Sequence, residues 1–193
     1  ARNNIKNDRV LNILVKKMAE SVKQPLSYNR LKNVIVTTGS SISVPTTIDY
    51  VDYASDSWLI LPMENEVGKL TEKEMQKKYY FVDNGLLNLF LMNSETSLLE
   101  NMVAVELCRR FGKKNVFFLN AEKEIDFIVP DGKLAIQVSY SIKNVNTYNR
   151  EVPPLVKYAK AHQDWNCLLI TYDEEGMEEG IPIVPVWKWL MEV

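Results

Sequence analysis

The chain holds one histidine, His162, and two cysteines, Cys108 and Cys167. A multi-histidine metal site is therefore set aside. Both cysteines lie in apolar settings, Val105-Glu-Leu-Cys108 and Trp165-Asn-Cys-Leu-Leu-Ile170. They read as buried free thiols, which fits a reducing cytoplasm. No apolar run approaches the roughly 20 residues needed to span a bilayer, and no signal peptide is visible, so a soluble cytoplasmic chain is expected, with no membrane partner. There is no G-x-x-x-x-G-K-[ST] motif, so this chain is expected to bind no nucleotide. Nor is there an excess of one charge, the net value being -2. Residues 1–84 carry 12 basic and 10 acidic side chains and residues 85–193 carry 11 and 15, so neither half is the basic body of a dedicated DNA binder. The chain opens without Met in a polar, helix-leading segment, which reads as part of a longer protein.

What is present is an ordinary globular composition, 46% hydrophobic and 25% charged over 193 residues, enough for one large domain or two small ones. Residues 8–22 are predicted helical: Val10, Leu14 and Met18 recur on one face, and Asp8 can cap. Gln24-Pro25 breaks that helix. Ser27 caps a second, with Leu26 and Leu31 placed as a hydrophobic staple. Ser43 starts a third, buried through Ile48, Val51 and Ala54. Strands at 58–61 and 78–82 follow, joined by a charged loop. Three short helices and a hairpin make the winged-helix pattern, with residues 44–56 in the recognition position.

That recognition segment holds Asp49, Asp52 and Asp56 and no Lys or Arg from Val44 to Ser57. DNA presents about one negative charge per 1.7 Å of duplex, so an acidic helix is repelled from the groove. Thr46, Thr47 and Tyr50 remain for neutral contacts. Basic residues lie on the first two helices and on the wing, where Lys73, Lys77 and Lys78 are the candidate nucleic-acid contacts. Arg109-Arg-Phe-Gly-Lys-Lys114 reads as a solvated helix C-terminus.

After Asp83-Asn-Gly85 the prediction is a helix from about Leu98 to Phe111, strands at 116–120, 124–129 and 134–140, a helix at 153–162, a strand at 166–171, an acidic loop at 173–180, a strand near 181–184 and a last helix near 186–192. This order is that of a mixed-sheet α/β sandwich. The central hairpin folds back through Pro130-Asp131-Gly132. With Val129 opposite Leu134, Asp126 falls directly opposite Gln137. Ile125, Phe127 and Val129 share the other face with Leu134, Ile136 and Val138.

A carboxylate facing an amide oxygen on a hydrophobic sheet can be a solvated sheet face or a metal site. Oxygen ligands of this kind hold Mg²⁺ with water completing the shell. Glu100 is a third member, because it sits in the apolar helix stripe with Val103, Ala104, Leu107 and Phe111. Its competing role is the capping box Ser97-x-x-Glu100. Glu106 lies on the opposite face and reads as a surface acid. Ser139, on the face of Gln137, supplies no cation.

These residues resemble a known pattern. Asp126, Gln137 and Ser139, preceded by Glu100, are similar to the acid…D…(E/Q)xK motif of the PD-(D/E)XK nuclease superfamily. Tyr79-Tyr-Phe-Val-Asp-Asn-Gly-Leu86, Leu99-Glu-Asn-Met-Val-Ala-Val-Glu-Leu107, Ile125-Asp-Phe-Ile-Val129 and Ile136-Gln-Val-Ser-Tyr-Ser141 resemble a C-terminal domain of unknown function of bacterial and archaeal AAA-type ATP-binding proteins. The resemblance implies a winged helix (1–84) followed by a restriction-endonuclease-like mixed-sheet α/β domain (85–193), attached to an N-terminal P-loop ATPase that binds ATP and Mg²⁺. It places the nuclease site at Glu100, Asp126 and Gln137, also the possible Mg²⁺ ligands, with Ser139 where the family has lysine. The expectation is an accessory module with a vestigial site, engaging nucleic acid or a protein partner. Two alternatives stand beside it. One is an active Mg²⁺-dependent nuclease with its lysine supplied by Lys123, Lys133 or Lys143. The other is a winged-helix transcription regulator.

Overall fold

The structure, a computed structural model, describes residues 7–92, 94–121 and 124–191. Helix α1 (Asp8–Glu20) is capped by Asn7, not Asp8, and buries Val10, Leu14, Val15, Met18 and Ala19 along one stripe. A short strand β1 (Leu26–Ser27) leads into α2 (Tyr28–Thr37), where the Ser27 side chain accepts the Arg30 N–H. Ser43 caps α3 (Val44–Asp56), which has proline in its first turn. Strand β2 (Ile60–Met63) begins two residues later than the sequence predicts. The cause is Trp58, which takes a left-handed φ of 58° and closes α3 with the pair Leu59 N–H to Ala54 O and Trp58 N–H to Ser55 O. Glycine ordinarily fills that position.

The charged loop carries a short helix α4 (Leu70–Met75) and leads into β3 (Gln76–Phe81). Strands β1, β3 and β2 form one antiparallel sheet in that order. After α5 (Asn84–Asn88), the long helix α6 (Glu95–Phe111) starts three residues before the expected Leu98.

Strands β4 (Phe117–Asn120), β5 (Glu124–Val129) and β6 (Leu134–Val138) are antiparallel. Helix α7 (Val145–Ala161) then crosses over to β7 (Asn166–Thr171), parallel to β6. A small edge strand β8 (Gly176–Glu178) occupies part of the expected acidic loop. Strand β9 (Ile181–Pro185) runs parallel to β7, and α8 (Val186–Met191) follows. The result is a mixed six-stranded sheet in the order β4-β5-β6-β7-β9-β8.

The sheet is covered on both faces. Val103, Ala104 and Leu107 of α6 and Trp189 of α8 join Phe127, Val129, Ile136 and Ile170 in one core cluster. Val152, Leu155 and Val156 of α7 join Ile125, Ile128, Ala135 and Leu169 in the other. Ile125 thus departs from the face it was expected to share with Phe127. The β4–β5 pairing slips by one residue between Phe117 and Leu119, and such a bulge turns the strand over locally. The turn at Pro130 puts Val129 opposite Leu134 as expected. At Gly132 in that turn the backbone comes close to α6, and a Cβ there would sit 3.1 Å from the Phe111 ring, which would have to give way slightly.

The first core cluster also contains Leu14, Met18, Leu31, Ile35, Tyr79, Tyr80 and Phe81, so it runs without a break across the 84/85 boundary. Polar clasps reinforce it. The Asn101 side chain accepts the Phe81 N–H (2.7 Å) and donates to Phe81 O and Asn84 Oδ1, both 2.8 Å. On the β4 edge, Glu66 N–H donates to Phe118 O (2.7 Å), Phe118 N–H donates to Glu64 O (3.0 Å), and the Asn65 amide pairs with the Asn120 backbone. Paired edges of this kind leave no open ladder for aggregation.

Candidate functional site

Strand β3 alternates its side chains, and Lys78 and Tyr80 point to one side. That side is covered by α6 and the start of β5. Lys78 is 0% exposed, and its Nζ lies 3.0 Å from Glu124 Oε1, 3.4 Å from Asp126 Oδ1 and 3.6 Å from Glu100 Oε1. Tyr80 donates its hydroxyl to Glu100 Oε1 at 2.8 Å. Burying an ammonium without partners is prohibitively costly, so these carboxylates explain why a lysine tolerates this position. Conversely, Lys78 explains why Glu100, 4% exposed, can occupy an apolar helix stripe. The Ser97 capping box is not formed: α6 begins at Glu95 and Glu100 faces inward.

Asp126 and Gln137 meet as expected. The Asp126 N–H donates to Gln137 Oε1 at 3.2 Å, and Asp126 Oδ2 accepts the Val138 N–H at 2.9 Å. Gln137 Nε2 donates to Glu151 of α7, and Glu151 is held in turn by Arg150 through bonds of 2.7 and 2.6 Å. Ser139 turns aside and donates to Ser141 O at 3.1 Å. Together these side chains floor a cleft of about 690 Å³ whose rim includes Lys23, Thr96, Tyr140 and Arg150.

Charge in this cluster is shared. Burial alone would lower the Lys78 ammonium, but Glu100, Asp126 and Glu124 outweigh it and hold it above its ordinary range. Burial also raises Glu100, against the pull of Lys78 and Tyr80. Asp126 is pushed up to about 8 by burial and by the neighbouring Glu100, with Lys78 only partly offsetting them. One ammonium between two buried carboxylates favours one proton held within the Glu100–Asp126 pair.

The fit to a divalent ion is poor. Both Asp126 oxygens are engaged, one by Lys78 and one by Val138 N–H. Both ends of the Gln137 amide are used. Glu100 Oε1 serves Tyr80 and Lys78. Among the described residues no group of three acidic, cysteine or histidine side chains is placed to hold a metal.

Other expected positions need correction. Lys78 is not a wing cation offered to nucleic acid, since its whole side chain is enclosed. Lys77 is clamped by Glu64 (3.1 Å) and Glu74 (3.2 Å), and Lys73 donates to Glu66 O at 2.6 Å. Thr47 and Tyr50 are buried within the helix packing, at 0% and 5% exposure, which removes them as groove contacts. Lys133 pairs with Asp164, and Lys143, 81% exposed, faces Glu174; neither enters the cleft. Lys123 lies outside the described residues. Glu106 is no free surface acid: the Arg109 guanidinium, with Arg110, holds it down to about 2. Arg110 also caps α8 through Trp189 O and lies 4.5 Å over the Trp189 ring. Cys167 is buried and Cys108 half-buried, both free thiols.

Sequence reasoning missed Glu151, Glu124 and the role of Lys78. Glu151 repeats the signal that flagged Glu100, an acid in an apolar stripe, here with Tyr148, Val152 and Leu155. It was hidden because Pro153 and Pro154 moved the predicted helix start to 153, whereas α7 runs from Val145 straight through both prolines.

The fold and site define a mixed α/β protein in which a buried lysine from the small sheet closes an acidic cluster formed by α6 and the large sheet. Residues 1–97 match the domain of unknown function DUF8612, and the chain belongs to that family. It is 33% identical over 206 residues to an uncharacterized protein of Methanocaldococcus jannaschii, covering 96% of this chain and 44% of that protein. An uncharacterized protein of Haemophilus influenzae is 27% identical over 199 residues, covering 99% and 48%. The chain thus spans less than half the length of these relatives. No solved structure matches. Among the described residues no helix is long and apolar enough to cross a membrane.

Proposed function

We propose that this chain is a non-catalytic accessory module, the C-terminal part of an AAA-type ATP-binding protein, built on a winged helix and a nuclease-like domain. The observation that carries this reading is Lys78. Its ammonium stands among Glu100, Glu124 and Asp126 at 3.0–3.6 Å, neutralising from within the carboxylates that a nuclease would offer to a dication. Gln137 and Ser139 support the same reading, one being neutral and the other turned away. On this reading a P-loop ATPase half would lie in the part of the longer protein that this chain does not span, the chain covering 44% and 48% of two relatives. Nucleotide and Mg²⁺ would bind there, and this part would engage a partner.

A second reading is favoured by the same side chain. Lys78 puts an ammonium 3.4 Å from Asp126, so a live Mg²⁺-dependent nuclease would not need a lysine at 139. Incubation of single- and double-stranded DNA and RNA with the protein and Mg²⁺ or Mn²⁺, beside Asp126→Ala, separates the two. No cleavage above a blank is expected. Cleavage by the wild type that vanishes in the variant would promote the nuclease.

A further inference from the structure

Strands β6 and β7 are parallel neighbours, and in open α/β sheets ligands gather beyond the carboxyl ends of such strands. Just past those ends stand Tyr140 and Tyr172, joined by a backbone bond from Tyr172 N–H to Tyr140 O of 3.3 Å. Their rings stack at 4.7 Å between centroids and 12° between planes. Tyr140 lines the cleft and Tyr172 is 51% exposed. Tyr140 is half-buried and packs against the first core cluster, whereas the Tyr172 ring stacked on it stands open to solvent.

Its surroundings are negative. The Tyr140 phenol is raised by burial and then by Glu95, Tyr172 and Asp173. Glu95 and Asp173 are exposed and have no cationic partner among the described residues; the cations nearby are engaged, Lys143 with Glu174 at 4.0 Å and Lys23 with the Thr96 hydroxyl at 3.0 Å. Within the cleft the charges of Glu124, Glu151 and the proton-sharing pair Glu100 and Asp126 are offset by Lys23, Lys78 and Arg150, so the uncompensated negative charge is that of Glu95 and Asp173. A phosphate backbone would be repelled here. A flat, weakly hydrated cation is what a tyrosine face flanked by carboxylates attracts.

We propose that the Tyr140–Tyr172 stack, with Glu95 and Asp173 beside it, receives the guanidinium of an arginine from a protein partner at the mouth of the cleft. This deepens the accessory-module reading by giving its partner a chemistry. Cleavage assays do not enter the test, so failure here leaves that reading standing.

The experiment is calorimetric titration of the protein with an arginine–glycine repeat peptide, its lysine–glycine counterpart and oligothymidylate. The arginine peptide should bind best, and Tyr172→Ala should weaken it by about fivefold or more. Asp173→Asn and Glu95→Gln should each weaken it by a few-fold with unchanged thermal unfolding. Equal binding of the lysine peptide would reduce the effect to bulk charge and overturn the proposal. So would arginine-peptide binding indifferent to Tyr172→Ala, no binding of that peptide at millimolar concentration, or preferential binding of oligothymidylate.

Discussion

Lys78 Nζ lies 3.4 Å from Asp126 Oδ1 across 48 residues of sequence, and both groups are enclosed by protein. Removing one member of such a pair strands the other. Lys78→Met should therefore cost about 3–5 kcal/mol, read as a lowered urea midpoint at neutral pH. The loss should shrink at acid pH, where the charge that remains on the Glu100–Asp126 pair is also neutralised by protonation. An equal loss at every pH would mean that the damage is steric.

The raised Asp126 carboxyl should make stability fall as the solution becomes alkaline. Its carboxyl stands near 8 when folded, against about 3.9 in an unfolded chain. The folded state holds the proton more tightly, so the contribution is complete below the unfolded value and is lost as pH rises through about 8. Melting temperature should decline between mildly acid and mildly alkaline buffer. Asp126→Asn should flatten that slope, and an unchanged slope would assign the effect to another group.

Asn101 satisfies the N–H and the C=O of Phe81 at once. Asn101→Ala leaves both buried and unpaired, at about 1–3 kcal/mol for each. Thermal unfolding should report the sum, with a transition that remains single because the core is continuous.

The exposed clasp between Asn65 and Asn120 should behave differently. Asn65→Ala removes two side-chain bonds of 3.0 and 2.9 Å that water can replace, so the global cost should stay within about 1 kcal/mol. The signal should be local: faster hydrogen exchange at the Asn120 amide, with the β5 and β6 amides unaffected.

The central hairpin was readable because two signals agreed. Alternation fixed the faces, and the turn residues fixed the register that sets Asp126 against Gln137. Glu100 was readable because an acid in an apolar stripe violates its helix pattern. Lys78 was not, because Gln-Lys-Lys at a strand entrance looks like solvated charge until the chain brings Glu100 and Glu124 to it from other elements. The bulge that turns Ile125 over is a pairing defect between β4 and β5, invisible in either strand alone. Prolines misled the reading of α7: their missing N–H groups cost two helical bonds, and burial of Val152, Leu155 and Val156 overrides that.

Strand β3 carries a further consequence. It supplies the ammonium and the phenol that complete a cluster otherwise built entirely on the other side of the 84/85 junction. Neither stretch of chain is therefore a transferable cassette. Cutting there would leave one fragment with Lys78, Tyr79, Tyr80 and Phe81 bare and the other with unpaired buried acids. Gene rearrangements that shuffle the segment before β3 would have to carry the strand along, which ties the inheritance of the small sheet to that of the large one.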